Sequence, residues 1–193
     1  MRFFLINRGD EILAIINQIR DILSSKELTR TDLLEVLKRE AKSISIHDIM
    51  QASAFMIKDS QYVQSGYREE FIEAYTRGFI TRIKEVKEYQ LKHDEKLDIE
   101  EVKEAISLLE TQEEERREED DFNPAFFRIY RVISLYTTFV RDEPIHPVGT
   151  PFPGGFEVKL DGKTYFCPVK EGQKDNPRAV CCFCIAEQDP ETL

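Results

Sequence analysis

What the chain lacks narrows it first. No run of about 18 or more apolar residues occurs, so no segment is long enough to cross a bilayer as a helix. The sequence contains no G-x-x-x-x-G-K-[ST], no G-x-G-x-x-G and no G-x-S-x-G. Phosphate-loop, dinucleotide and serine-hydrolase chemistry therefore have no motif behind them. Positive charge is short: 27 Lys and Arg face 37 Asp and Glu, a formal net charge of −10. Phosphate backbones and anionic headgroups repel such a chain, which argues against nucleic acid or a membrane surface as its main partner. Histidine and cysteine are scarce, with three of the one and four of the other.

What is present is a polar-leaning globular composition, 41% hydrophobic and 33% charged over 193 residues. That length supports a core without staples. The N-terminal apolar run Phe3–Ile6 is too short for a signal segment, and Arg8, Asp10 and Glu11 break the hydrophobic stretch immediately after it. The expectation is a cytosolic protein whose first residues pack onto the core.

Helical periodicity dominates residues 10–140. Ile12, Ile15, Ile16, Ile19 and Ile22 mark one amphipathic helix over 10–23, and Leu33, Leu34 and Leu37 a second, capped by Thr31 or Asp32. Ser45 caps a third carrying Ile49, Ala52, Phe55 and Met56. A long stripe from Phe71 to Val86 predicts a helix from about Tyr67 to Lys92. Asp98, with Glu101 three residues on, resembles a capping box before Val102, Ala105, Ile106 and Leu109. The run QEEERREEDD, residues 112–121, reads as a solvated helix end or mobile loop, with an acidic docking surface as the alternative. Asn123 and Pro124 open a segment, PAFFRIYRVISLYTTFV, that is apolar nearly all round and so central. Its aromatics at helical spacing are read as core packing in preference to a cofactor box.

The composition changes after Val140. Five of the eight prolines fall between residues 144 and 168, joined by Gly149, Gly154, Gly155 and Gly162. Two β-type runs flank Asp161-Gly162, a type I′ turn pair. The expected ribbon pairs Leu160 with Lys163, Val158 with Tyr165 and Phe156 with Cys167.

Cys167 is followed by Cys181 and Cys184 in a C-x-x-C, with Cys182 between them. In a reducing compartment such clustering reads better as metal binding than as a disulfide framework. A C-x-x-C turn brings two thiolates to one tetrahedral ion, and a strand end can supply a third. His146, the one histidine in the C-terminal region, is the candidate fourth ligand; Asp175, Cys182 or water are the others. The expected set is His146, Cys167, Cys181 and Cys184 on zinc, closed and structural. An iron–sulfur cluster, plain thiols and a disulfide stay open as alternatives. A thioredoxin-like pair would need a βαβ setting that the upstream helices do not provide. His47 and His93 have no ligand set nearby. Lys159, Lys163, Lys170, Lys174 and Arg178 are read as a solvated basic surface.

The phrases IHPVGTPFPGG, residues 145–155, and YFCPVKEGQKDNPRAVCCFCIAEQD, residues 165–189, resemble an uncharacterised conserved protein family of methanogenic archaea. The resemblance implies a cytosolic archaeal protein and carries no activity, substrate or catalytic residue. It places His146, Cys167, Cys181 and Cys184 in the family's most typical phrases and makes Cys182 the less typical member.

The sequence thus predicts a mainly α fold: a helical domain over 1–140, and a Pro/Gly-rich hairpin with a Cys/His metal knuckle over 141–193 packed on it. The expected function is noncatalytic binding of an unidentified protein partner. A metal-dependent or iron–sulfur redox enzyme and a helical scaffold with incidental cysteines are the alternatives.

Overall fold

A computed structural model describes residues 21–23, 27–62 and 65–192. Most of the helix expected over 10–23, and the expected packing of the first residues, lie outside them. Among the described residues five long helices carry the architecture: α1 (Arg30–Ser43), α2 (Ile46–Asp59), α3 (Ser65–Glu88), α4 (Ile99–Arg116) and α5 (Pro124–Leu135). A π-helical turn, Tyr136–Val140, prolongs α5. The C-terminal quarter holds short strands, β1 (Pro151–Phe152), β2 (Phe156–Glu157), β3 (Lys159–Asp161), β4 (Thr164–Cys167) and β5 (Glu187–Gln188), with a one-turn helix α6 (Lys170–Gln173) between the last two. The fold is mainly helical with small sheets at its C-terminal end.

Local chemistry explains where the helices begin. Thr29, rather than Thr31 or Asp32, caps α1: its hydroxyl accepts from Asp32 N–H while the Asp32 carboxylate accepts from Thr29 N–H. Asp32 is therefore the reciprocal member of a capping box. Ser45 and Asp48 repeat the device at α2. Asp98 accepts from the N–H groups of Glu100 and Glu101, and Asn123 from that of Phe126 with Pro124 at the first helical position.

The segment expected to be central is so. Every residue from Arg131 to Val140 is buried, and Ile129, Leu135 and Tyr136 are fully enclosed in one core with Leu33, Leu37, Ile83 and Val102. α5 packs along α2 and also meets α1, α3 and α4.

The acidic run 112–121 is not simply a solvated end. α4 extends to Arg116, and Gln112 and Glu113 are buried. Glu113 pairs with Arg131 of α5, both almost wholly enclosed. Charge count alone reports exposure only where no partner arrives from another helix.

The hairpin differs from its expected register. Observed pairs are Lys159↔Phe166, Leu160↔Tyr165 and Asp161↔Thr164, so the two-residue loop is Gly162-Lys163. Gly162 takes φ +59 and Lys163 has no positive φ, which fits a turn with Gly at its first central position rather than type I′. Phe156 pairs with Phe152 instead of facing Cys167. Between those strands Gly154 has φ +89, and a Cβ there would meet the Phe156 ring at 2.9 Å. Cys167 is instead opposite Gln188, because β5 returns to run parallel to β4.

Candidate functional site

The C-terminal segment closes as a clasp. Asp189 N–H donates to the Cys167 carbonyl at 3.0 Å, and Gln188 Nε2 to that of Pro168 at 3.0 Å. Lys159 Nζ bridges the buried Asp189 at 3.3 Å and Glu191 at 2.5 Å. Cys167 thus ends β4 in a small cluster with Val158 and Ala186, as its apolar setting in the sequence implied.

Cys167-Pro168-Val169-Lys170 turns sharply from strand into α6. The backbone N–H groups of Val169 and Lys170 point at the Cys167 sulfur and favour its thiolate, while burial pushes the thiol the other way and dominates. Lys170 Nζ then reaches over to the C-x-x-C turn. It donates to the carbonyl of Cys181 and, at 2.6 Å, to that of Cys184. The turn itself is closed by Cys184 N–H on Val180 O at 3.2 Å and on Cys181 O at 3.3 Å. One ammonium therefore holds the strand-end turn and the cysteine turn together.

The residues of the turn divide by direction. Cys182 is exposed. Phe183 stacks on Phe139 of the π-helical turn, with ring centroids 6.2 Å apart, and anchors the loop to the helical core. Cys181 and Cys184 are half-buried. Burial first, then the charges of Cys184 and Cys167, push the Cys181 thiol up to about 11. Cys167, Cys181 and Cys184 are thus near enough to sense one another. Among the described residues, no three His, Cys, Asp or Glu side chains are grouped so as to hold a metal ion. The expected Cys/His knuckle is therefore a neighbourhood of thiols rather than an assembled ligand shell.

His146 is engaged by α3 and by β1. Its Nε2 is hydrogen-bonded to the Tyr75 hydroxyl, and its ring meets the Tyr75 and Phe152 rings edge-on at 5.5 and 5.6 Å. Desolvation there lowers its pKa to about 4, so the imidazole is neutral at pH 7. Tyr75 is the link. Burial raises its phenol pKa, and the charges of Tyr67, Cys181 and Cys167 raise it further. Tyr130 of α5 is shifted upward by burial too, with Tyr75, Cys181 and Cys184 adding to the effect. Tyr75 thus contacts the histidine and lies near enough to sense the cysteines, and Tyr130 senses the same thiols.

Lys170, Tyr75 and Tyr130 escaped sequence reasoning. From the sequence Lys170 reads as part of a solvated basic surface. The two tyrosines sat in helical stripes where an aromatic reads as core, and no sequence signal distinguishes them. His47 and His93 are both exposed, as their lack of partners suggested. No helix among the described residues is long and apolar enough to cross a membrane.

A helical body fastened to a cysteine-bearing clasp defines the class. Residues 29–189 match a family described as "Uncharacterized protein conserved in archaea (DUF2115)", and the chain belongs to that family. Similar proteins include a "UPF0305 protein" of Methanothermobacter thermautotrophicus, 43% identical over 162 residues, which cover 84% of this chain and 98% of the relative. A second protein of that name from the same organism is 33% identical over 159 residues, 82% of this chain and 95% of the relative. One from Methanocaldococcus jannaschii is 30% identical over 168 residues, 83% and 96% respectively. No solved structure matches the chain.

Proposed function

We propose that this is a noncatalytic cytoplasmic binding protein whose clasp is locked by a thiophilic cation, zinc in the first instance, on Cys167, Cys181 and Cys184. The observation that carries the reading is the approach of those three thiols from two chain segments, with backbone amides already aimed at Cys167. Thiolate ligands suit zinc, and amide hydrogen bonds orient and stabilise them. Binding requires the C-x-x-C turn to draw the sulfurs onto one ion. His146, engaged by Tyr75, supports the wall of the site, and the fourth position falls to water. In this reading the partner is a protein and the ion's role is to keep the clasp shut.

Metal analysis of natively purified protein, with an absorption spectrum, tests this. One zinc per chain in a colourless protein supports it, provided Cys184→Ser lowers both metal content and melting temperature. Visible absorption after anaerobic purification would replace it with an iron–sulfur redox protein using the same cysteines.

One observation favours a second reading. The Lys170 ammonium already bridges the carbonyls of Cys181 and Cys184. In that version Lys170 is the lock, the cysteines are incidental, and the chain is a helical scaffold. Metal-free protein whose melting temperature falls with Lys170→Met but not with Cys184→Ser would decide for it.

A further inference from the structure

A cleft of about 220 Å3 opens between α2, α3, α4 and α5. Its walls are largely aromatic. Phe55 and Phe126 approach to 4.8 Å between ring centroids, Phe71 and Tyr75 to 4.5 Å, and Tyr130 stacks on Phe126 at 5.5 Å. That volume is below the ~300–1,000 Å3 of drug-sized sites and suits a ring-sized molecule.

The cleft also has a built polar end. Exposed Arg178 lines it, and its backbone is pinned on both sides. The buried Gln112 amide donates to Pro177 O at 2.8 Å and to Ala179 O at 3.1 Å. Arg178 N–H donates to Asn176 Oδ1 at 3.0 Å. The Arg178 guanidinium has no carboxylate partner among the described residues, whereas the neighbouring Arg116 is engaged by Glu119 at 2.5 Å. Asp59 and Glu115 line the same cleft. They repel any anion that does not contact the guanidinium directly, which disfavours polyanions and confines a single carboxylate to the Arg178 fork.

We propose that this cleft binds a small monocarboxylate with an aromatic or branched apolar body. The body lies against Phe55, Phe71 and Phe126, and the carboxylate pairs with the Arg178 fork. The inference does not depend on an ion at the cysteines. The cleft's inner wall, Tyr75 and Tyr130, is nonetheless the pair that adjoins the thiols. Occupancy is thereby placed next to the clasp.

Three matched probes test the proposal on the full chain by saturation-transfer NMR and calorimetry: benzoate, benzylamine and benzyl alcohol. Benzoate should bind in preference to the other two. Arg178→Ala should weaken it by about tenfold or more, because a charge-assisted pair is lost. Arg178→Lys should be intermediate, keeping the charge but losing the fork. Since the Arg178 side chain is exposed and has no carboxylate partner among the described residues, neither variant should shift the melting temperature. Failure of benzoate to bind, equal binding of all three probes, or benzoate affinity indifferent to Arg178→Ala would each overturn the proposal.

Discussion

The helical body and the C-terminal clasp are held by different physics. The body is a continuous apolar core in which fully buried side chains such as Ile129, Leu135 and Tyr136 meet residues from other helices. Its buried charges are deeply paired, as with Glu113 and Arg131. The clasp's own apolar cluster is small, made of Val158, Cys167 and Ala186. It is closed by hydrogen bonds and ammonium bridges, with Lys159 on Asp189 and Glu191, and Lys170 on two cysteine carbonyls. Apolar burial is non-directional and distributed, whereas a bridge through one ammonium is a single point of failure. The difference predicts that the clasp opens before the body unfolds.

The largest test strikes the body. Glu113→Ala leaves the Arg131 charge buried and without its partner, a loss expected to cost about 3–5 kcal/mol. Urea denaturation should show it as a lower midpoint for the whole chain. The paired change Glu113→Leu with Arg131→Met should recover most of that stability, and a pair no better than the single change would mean the charges matter less than their packing.

Next in size is a pH effect at the junction. In the folded chain His146 titrates near 4, against about 6.5 unfolded. Between those values the unfolded chain holds a proton that the folded chain does not, so stability rises with pH across that window. It is intact above about 6.5, falls as the pH drops toward 4, and levels off below. The full shift corresponds to at most about 3 kcal/mol. The rings of Tyr75 and Phe152 face the imidazole, and the small cavity it shares with Arg82 and Thr150 is lined by no carboxylate among the described residues. His146→Gln should flatten this part of the stability–pH curve, and a variant curve parallel to the parent's would refute the assignment.

Lys170→Met should separate the two regions most cleanly. Losing a charged donor to two carbonyls costs roughly 1.5–3 kcal/mol. The loss should fall on the clasp. Thiol-reagent uptake at Cys181 and Cys184 should quicken and the Cys184 amide should exchange faster, while helical circular dichroism stays unchanged. Loss of helical signal in parallel would show the two regions to be one cooperative unit. The smallest effect is expected at Leu160, which is 48% exposed. Leu160→Thr should stay within about 0.5 kcal/mol of the parent, and a larger drop would reveal that this face is covered.

Much of the body was legible because its signals are local. Ser45 and Asp48, or Asn123 and Pro124, act on backbone within four residues, so they can be read off directly. Even the misplaced cap at Thr31 lay two residues from the one at Thr29. The clasp was legible only in its ingredients. The cysteines stood out, yet nothing near Cys167 announces that Gln188 will lie opposite it. His146 looked like a ligand because its partner, Tyr75, is 71 residues away in a helix where an aromatic reads as core. Lys170 looked like surface because its acceptors are main-chain carbonyls, which carry no sequence signature.

The sequence by itself determined the helical class, most helix starts, the central position of the segment after Asn123 and the membership of Cys167, Cys181 and Cys184 in one region. Each follows from periodicity, capping or composition, which act over a few residues. Tertiary structure alone decided that β5 pairs with β4, that Tyr75 is the hydrogen-bond partner of His146, and that Lys170 bridges the two turns. Those contacts join chain segments whose approach depends on how the whole core packs.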